Sequence, residues 1–228
     1  DKALSRKKTT EEKKENLLKL ITPTTDYALL KGADIIIEAV FENREIKAGV
    51  TVKAEAEISD SAVFGSNTST LPITGLAKNS KRPANFIGVH YFSPVEKMPL
   101  VEIIMGEETS QETLAKTMDY VQKIKKTAIV VNDSRGFYTS RVFGTYTGEG
   151  MEMLAEGINP ALIENAGKMA GMPMPPLALT DAVALDLAHK VSVQTKKDFE
   201  AEGKSFPTSS PQKVLEELVE KHGRFGKK

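Results

Sequence analysis

The chain has 228 residues, with 31 Lys plus Arg against 31 Asp plus Glu, and it contains no cysteine. A formal charge of zero leaves no basic surface to displace counterions from nucleic acid, and the absence of cysteine excludes disulfides, thiolate metal sites and cysteine nucleophiles. At 40% hydrophobic and 27% charged residues, the composition is that of a globular protein with enough chain for one large or two small domains. The apolar run at Ile35, Ile36 and Ile37 is far short of the roughly 18 residues that span a bilayer. The start, Asp1-Lys2-Ala3, has neither a signal peptide nor an initiating Met, and is expected to be a cut within a longer chain.

Taken in order, a helix is expected from about Thr10 to Ile21, with Leu17, Leu18 and Ile21 at helical spacing and Pro23 stopping it. Residues 33–40 form a β-branched run with little alternation, the pattern of a strand buried on both faces. Asn43 is placed to cap a helix to about Ile58, with Ile46, Val50, Ala54 and Ile58 on its buried face. Residues 62–65 make a second strand, followed by the polar loop Ser66-Asn67-Thr68-Ser69. Strands are expected at 86–92, 101–105 and 128–131, with a helix from about Ser110 to Lys125 before the last. This alternation predicts a parallel, doubly wound α/β sheet. After Asn132 the strand signal ends, and 137–156, 160–170, 176–201 and 211–222 read as helices. The expected division is an α/β domain over 1–133 and a helical domain over 134–228.

In an open α/β sheet, ligands sit beyond the carboxyl ends of the strands. Glu42, the hydroxyl loop from Ser66 to Ser69, and His90 fall at or near such ends. A histidine in an apolar strand is more often a satisfied core residue than a base. Here Glu102 and the Ser93-Pro94 turn keep it company. An imidazole polarised by a carboxylate takes up a proton near neutral pH, while a hydroxyl steadies the oxygen involved.

Four ordered segments make the pattern specific: 34–47 (DIIIEAVFENREIK), 66–73 (SNTSTLPI), 82–104 (RPANFIGVHYFSPVEKMPLVEII) and 129–143 (IVVNDSRGFYTSRVF). Together they resemble the L-3-hydroxyacyl-CoA dehydrogenase family, closest to the dehydrogenase part of the multifunctional fatty-acid β-oxidation α-subunits. The resemblance runs through to Arg224-Phe225-Gly226-Lys227, and the Ser69–His90 and His90–Glu102 separations of 21 and 12 residues agree with it. It implies a truncated Rossmann-type sheet followed by an all-helical domain like the C-terminal domain of 6-phosphogluconate dehydrogenase. It further implies NAD as cofactor and an acyl-CoA thioester as substrate. His90, Glu102 and Ser69 become the catalytic set: His90 takes the 3-hydroxyl proton, Glu102 orients the ring, and Ser69 contacts both the substrate oxygen and the nicotinamide side. Ser140 falls on the substrate side. Val40, Phe41, Glu42, Lys47, Asn67, Ser69 and Ser93 line the cofactor cleft. Read from their residue types alone, Glu42 and Lys47 equally fit a solvated helical charge pair, and Ser69 a loop cap.

The chain departs from the family pattern at three points. No G-x-G-x-x-G occurs; the glycine cluster at 144–150 lies inside an expected helix and follows no strand. These residues alone are therefore expected to bind NAD weakly and not to turn over, and the sheet is expected to expose an apolar edge that favours association with a second copy. Ser140 and Ser93 stand where the family usually has asparagines. An acyl-CoA-binding or assembly module with decayed catalysis is the alternative reading. A 6-phosphogluconate-type reductase shares the architecture but lacks support from a basic phosphate-binding cluster. The resemblance implies a cytoplasmic location in a bacterium, or a mitochondrial or peroxisomal one in a eukaryote.

Overall fold

A computed structural model of the chain describes residues 2–183, 185–201, 203–206 and 209–226, so Lys227 of the matching C-terminal segment lies outside the described residues. The chain divides into two compact units, Asp1–Phe137 and Tyr138–Lys228.

The first unit opens with helices α1 (Lys2–Ser5) and α2 (Glu11–Leu18), the latter capped by Thr10, whose hydroxyl accepts the Lys13 amide. Strand β1 (Ile35–Glu38) leads through an Asn43 cap into α3 (Arg44–Glu55). Then follow β2 (Val63–Ser66), α4 (Ile73–Ala77), β3 (Phe86–Tyr91), β4 (Leu100–Met105), α5 (Gln111–Lys123) and β5 (Thr127–Asn132). The expected strand over 33–40 is cut short at Glu38. There the side chain accepts the Val40 amide at 2.7 Å, turning the chain out of the ladder. The short α4 and the 3₁₀ turns at Tyr27–Leu30 and Pro83–Asn85 lie in stretches with too little periodicity to be expected.

The sheet runs in the order β1-β2-β3-β4-β5. It is not wholly parallel, as the alternation of elements predicts, because β3 and β4 are antiparallel while the remaining pairs are parallel. The 92–99 connection is shorter than the dozen or so residues a parallel crossover needs, so the chain can only turn back.

Period-two alternation sorts β3 onto two faces. Phe86 packs with Phe64, Ile104, Ile73, Leu76, Ala54 and Phe137 on one side. Ile87 and Val89 pack with Val63, Val101, Ile103 and Val121 on the other. His90 follows Phe86 and Gly88 by even steps and so shares the first face. Gly88 is needed there, since an added Cβ would lie 2.8 Å from both Ile104 and Ile73.

Helix α3 corrects a second expectation. Its buried positions are Lys47, Thr51, Ala54 and Glu55, while Ile46 is 45% exposed. Polar partners turn the helix: Lys47 reaches inward to Glu38, and Glu55 accepts the Ser80 hydroxyl and the Lys81 amide. Ala54 and Ile58 are buried as expected and Val50 half-buried, so the charged residues share that face and Ile46 alone is turned out.

The second unit is helical, with α6 (Thr139–Ala155), α7 (Pro160–Met169), α8 (Pro176–Val183), α9 (Leu185–Ala201) and α10 (Ser210–Glu216), then a π turn at Glu217–Lys221. The helix expected over 176–201 is helical at every described residue, α8 and α9 lying on either side of position 184, which is outside the described residues. Among the described residues, none beyond Asn132 is in a strand. Met151, Leu185 and Leu215 centre this unit's core. The glycine cluster at 144–150 lies within α6, and Gly150 serves packing: a Cβ there would meet Pro176 at 2.6 Å.

Candidate active site

Cross-strand register builds the centre of the site. His90 on β3 pairs with Glu102 on β4, and the His90 Nδ1–H donates to Glu102 Oε2 at 2.7 Å. Both side chains are buried, His90 at 5% exposure and Glu102 at 0%. A carboxylate only accepts, so this bond places the neutral ring's proton on Nδ1 and leaves Nε2 as the basic nitrogen. Aromatic walls fix the imidazole: the Phe92 ring lies 4.5 Å away and the Phe137 ring 6.1 Å, both tilted. Phe137 reaches that position through left-handed backbone at Gly136 (φ 74) and at itself (φ 48). Strain of this kind persists where packing over-determines it, and Phe137 is 1% exposed.

Because β1, β2 and β3 are mutually parallel, their carboxyl ends share one edge. Most of the residues expected to act fall there. Val40 is half-buried, its amide given to Glu38 and its carbonyl 3.4 Å from Lys47 Nζ. Phe41 is 82% exposed. The half-buried Asn67 accepts the Tyr91 amide through Oδ1 at 3.0 Å, tying the end of β2 to the residue after His90. Ser69 is exposed, and its amide donates to Glu42. Ser93 is exposed and joined to Pro94 by a cis peptide. Ser140 lies in the first turn of α6, in the second unit, half-buried.

Lys47 and Glu42 are placed differently from open cleft residues. Lys47 is 1% exposed, and its Nζ donates to both Glu38 oxygens at 3.0 and 3.2 Å. Glu38 also accepts the buried Ser66 hydroxyl at 2.7 Å. Glu42 lies 3.6 Å from the same ammonium and takes donors from residues 68 to 70.

Glu38, Asp133 and Lys126 are site-shaping residues that sequence reasoning passed over. Asp133 accepts the Ile73 and Thr74 amides, fastening the end of β5 to the start of α4, and the Gly136 amide donates to Thr70 O at 3.3 Å. Lys126 donates to the carbonyls of Val95 and Met98, both at 2.7 Å, and so clamps the loop that carries Ser93. A signal for Glu38 was present: it is the one carboxylate in the run Ile35–Val40, at the carboxyl end of a strand. On the opposite face from His90, burial raises the Tyr91 hydroxyl well above its ordinary range, as does its donation to Tyr120 Oη at 3.1 Å. Among the described residues there is no cluster of groups that would hold a metal ion, and no helix is long and apolar enough to cross a membrane.

Residues 1–134 match the NAD-binding domain of 3-hydroxyacyl-CoA dehydrogenase, and residues 136–228 match its C-terminal domain. The chain belongs to the 3-hydroxyacyl-CoA dehydrogenase family. It is 43% identical over 198 residues to the fatty acid oxidation complex subunit alpha of Shewanella halifaxensis, covering 87% of this chain and 28% of that protein. The chain thus spans under a third of the length of the curated relatives it matches. Among solved structures, (S)-3-hydroxybutyryl-CoA dehydrogenase from Ralstonia eutropha superposes with a TM-score of 0.88 at 32% identity, over 100% of this chain and 79% of that one. The 3-hydroxybutyryl-CoA dehydrogenase of Escherichia coli gives 0.86 at 31% identity, over 99% of this chain and 47% of that one. The family is one of NAD-dependent oxidoreductases.

At the edge of the parallel strands, where nucleotides bind in such sheets, Phe41 presents an exposed aromatic ring, and Ser69 and Ser93 are exposed residues bearing hydroxyls. Residues 1–228 supply no glycine fingerprint for a pyrophosphate, and the glycines at 144, 148 and 150 sit inside α6 rather than in a strand-to-helix turn, Gly150 packed against Pro176.

Proposed function

We propose that the protein oxidises the 3-hydroxyl of (S)-3-hydroxyacyl-CoA thioesters to the 3-oxo group, in fatty-acid β-oxidation, with His90 as general base. The observation that carries this reading is the buried His90–Glu102 pair, which holds the Nε2 lone pair ready at the strand edge. In this reading His90 Nε2 takes the hydroxyl proton as the carbon–oxygen double bond forms. NAD, when bound, supplies the acceptor for the hydride leaving C3. Glu102 orients the ring and stabilises the imidazolium that results. Ser69 donates to the substrate's oxygen, with Phe41, Asn67 and Ser93 along the cofactor side. Residues 1–133 act as the nucleotide-side domain and 134–228 as the helical substrate-side domain. The bacterial relatives support a cytoplasmic setting.

The test is NADH formation from a 3-hydroxyacyl-CoA by the whole protein and by its His90→Gln variant. A fall in kcat of about 10²–10⁴-fold at little-changed KM is expected for loss of the base. An unchanged rate overturns the assignment.

A further inference from the structure

Proton transfer leaves unused the buried charges between β1 and α3: Glu38, Lys47 and, at the surface end, Glu42. Their connections run in one direction. Glu38, on β1, binds Lys47 through both oxygens and takes the Ser66 hydroxyl and the Val40 amide, so its burial is fully compensated. Lys47, on α3, presents the same ammonium 3.6 Å from Glu42 Oε2. The other oxygen, Glu42 Oε1, accepts Thr68 Oγ1 at 2.6 Å, the Ser69 amide at 3.0 Å, the Thr70 amide at 3.1 Å and Thr70 Oγ1 at 3.2 Å.

We infer that Glu42 is a positioning residue for Ser69, fixing the 68–70 loop through one carboxylate oxygen while the buried Lys47–Glu38 pair fixes Glu42 from behind. The inference rests on the dehydrogenase reading for the role of the Ser69 hydroxyl. It differs from the cleft-lining role the family resemblance implies for Glu42 and Lys47. A carboxylate oxygen facing a convergent set of loop donors defines the backbone on both sides of Ser69, and with it the direction of its Cβ. Donation to a charged acceptor is about twice as strong as a neutral hydrogen bond, which suits a loop that carries an exposed functional side chain. Lys47 opposes rotation of Glu42 because its own position is set inside the fold, at 1% exposure. The order of dependence is Glu38, Lys47, Glu42, loop.

The test uses Glu42→Ala, Ser69→Ala and the double variant in the whole protein, with two readouts. Hydrogen exchange at the amides of Ser69 and Thr70 is expected to accelerate about tenfold or more in Glu42→Ala, because a charged acceptor is lost. Unchanged exchange at both amides overturns the inference whatever the activity. In steady-state kinetics, Glu42→Ala is expected to lower kcat by up to about 10²-fold, the cost of a misplaced contact group. The same change is expected to have almost no effect once Ser69 is alanine. Additive losses overturn a role exercised through Ser69. If Ser69→Ala alone leaves turnover unchanged, it is the catalytic reading of Ser69 that falls, and the exchange result still decides whether Glu42 holds the loop. Should Glu42→Ala fail to fold, Glu42→Gln carries the exchange measurement, because its uncharged amide oxygen is a weaker acceptor for both amides, and full protection there overturns the proposal.

Discussion

His90 and Glu102 stand directly opposite each other across the antiparallel β3–β4 pair, with Nδ1 2.7 Å from Oε2. Opposed residues in such a ladder are held by backbone on both sides, so neither side chain needs a flexible loop to find the other. The first prediction follows from that rigidity. Glu102→Gln keeps a hydrogen-bond acceptor for the ring but removes the charge that stabilises imidazolium, and a loss of about 10²-fold or more in kcat is expected. Combining it with His90→Gln should add almost nothing, because no base remains to orient. Steady-state kinetics of the four-member cycle checks this; additive losses would mean that Glu102 acts on something other than His90.

Lys47→Met leaves Glu38 buried without its cation. Breaking a buried pair from one side costs about 3–5 kcal/mol, and removing both partners costs much less. Denaturant unfolding of Lys47→Met is therefore expected to show a loss in that range, with Glu38→Gln recovering part of it in the double variant. A loss below about 1 kcal/mol in Lys47→Met would mean that Glu38 is hydrated once the lysine is gone.

Tyr91 gives the fold an alkaline limit. Burial and the Tyr120 hydroxyl hold its proton more tightly in the folded state than in the unfolded chain, where the ordinary value is 10.0. The raised group's stabilisation is fully present below that value and is lost as pH climbs past it. Unfolding midpoints measured between about pH 9 and pH 11 should fall with rising pH, and Tyr91→Phe should flatten that fall. Equal slopes in the two proteins would contradict it.

Lys126 secures the loop bearing Ser93 from outside, through the Val95 and Met98 carbonyls. The amides of Lys97 and Met98 both donate to Pro94 O within that loop. Lys126→Met removes charged donors from a half-buried position at the rim of the sheet, so faster exchange at residues 97 and 98 is expected with global stability changed by about 1 kcal/mol or less. Exchange indistinguishable from the parent would show that the loop holds itself.

Much of this protein is written in short-range pattern. Asn43 caps the helix it is expected to cap, the helix expected from about Ser110 starts there, and the loss of β-branched runs after Asn132 marks the change to helices. The family was legible because the four ordered segments and separations such as His90–Glu102 are properties of the chain itself. Caps and periodicity are also local: a few neighbouring residues decide them, whatever the rest of the molecule does.

Tertiary structure decided what those residues touch. The spacing of His90 and Glu102 does not say whether β4 runs with β3 or against it; the length of the 92–99 connection and the pairing of β4 with β5 settle that, and only the antiparallel register puts the two side chains face to face. Ile46 reads as core and Lys47 as surface until β1 places Glu38 beneath α3, after which the lysine is buried and the isoleucine is not. Glu42 likewise reads as a cleft charge until the β2 end delivers the 68–70 donors to it. Burial and charge pairing depend on which distant segment arrives alongside. That depends on strand order and register, which a local pattern does not contain.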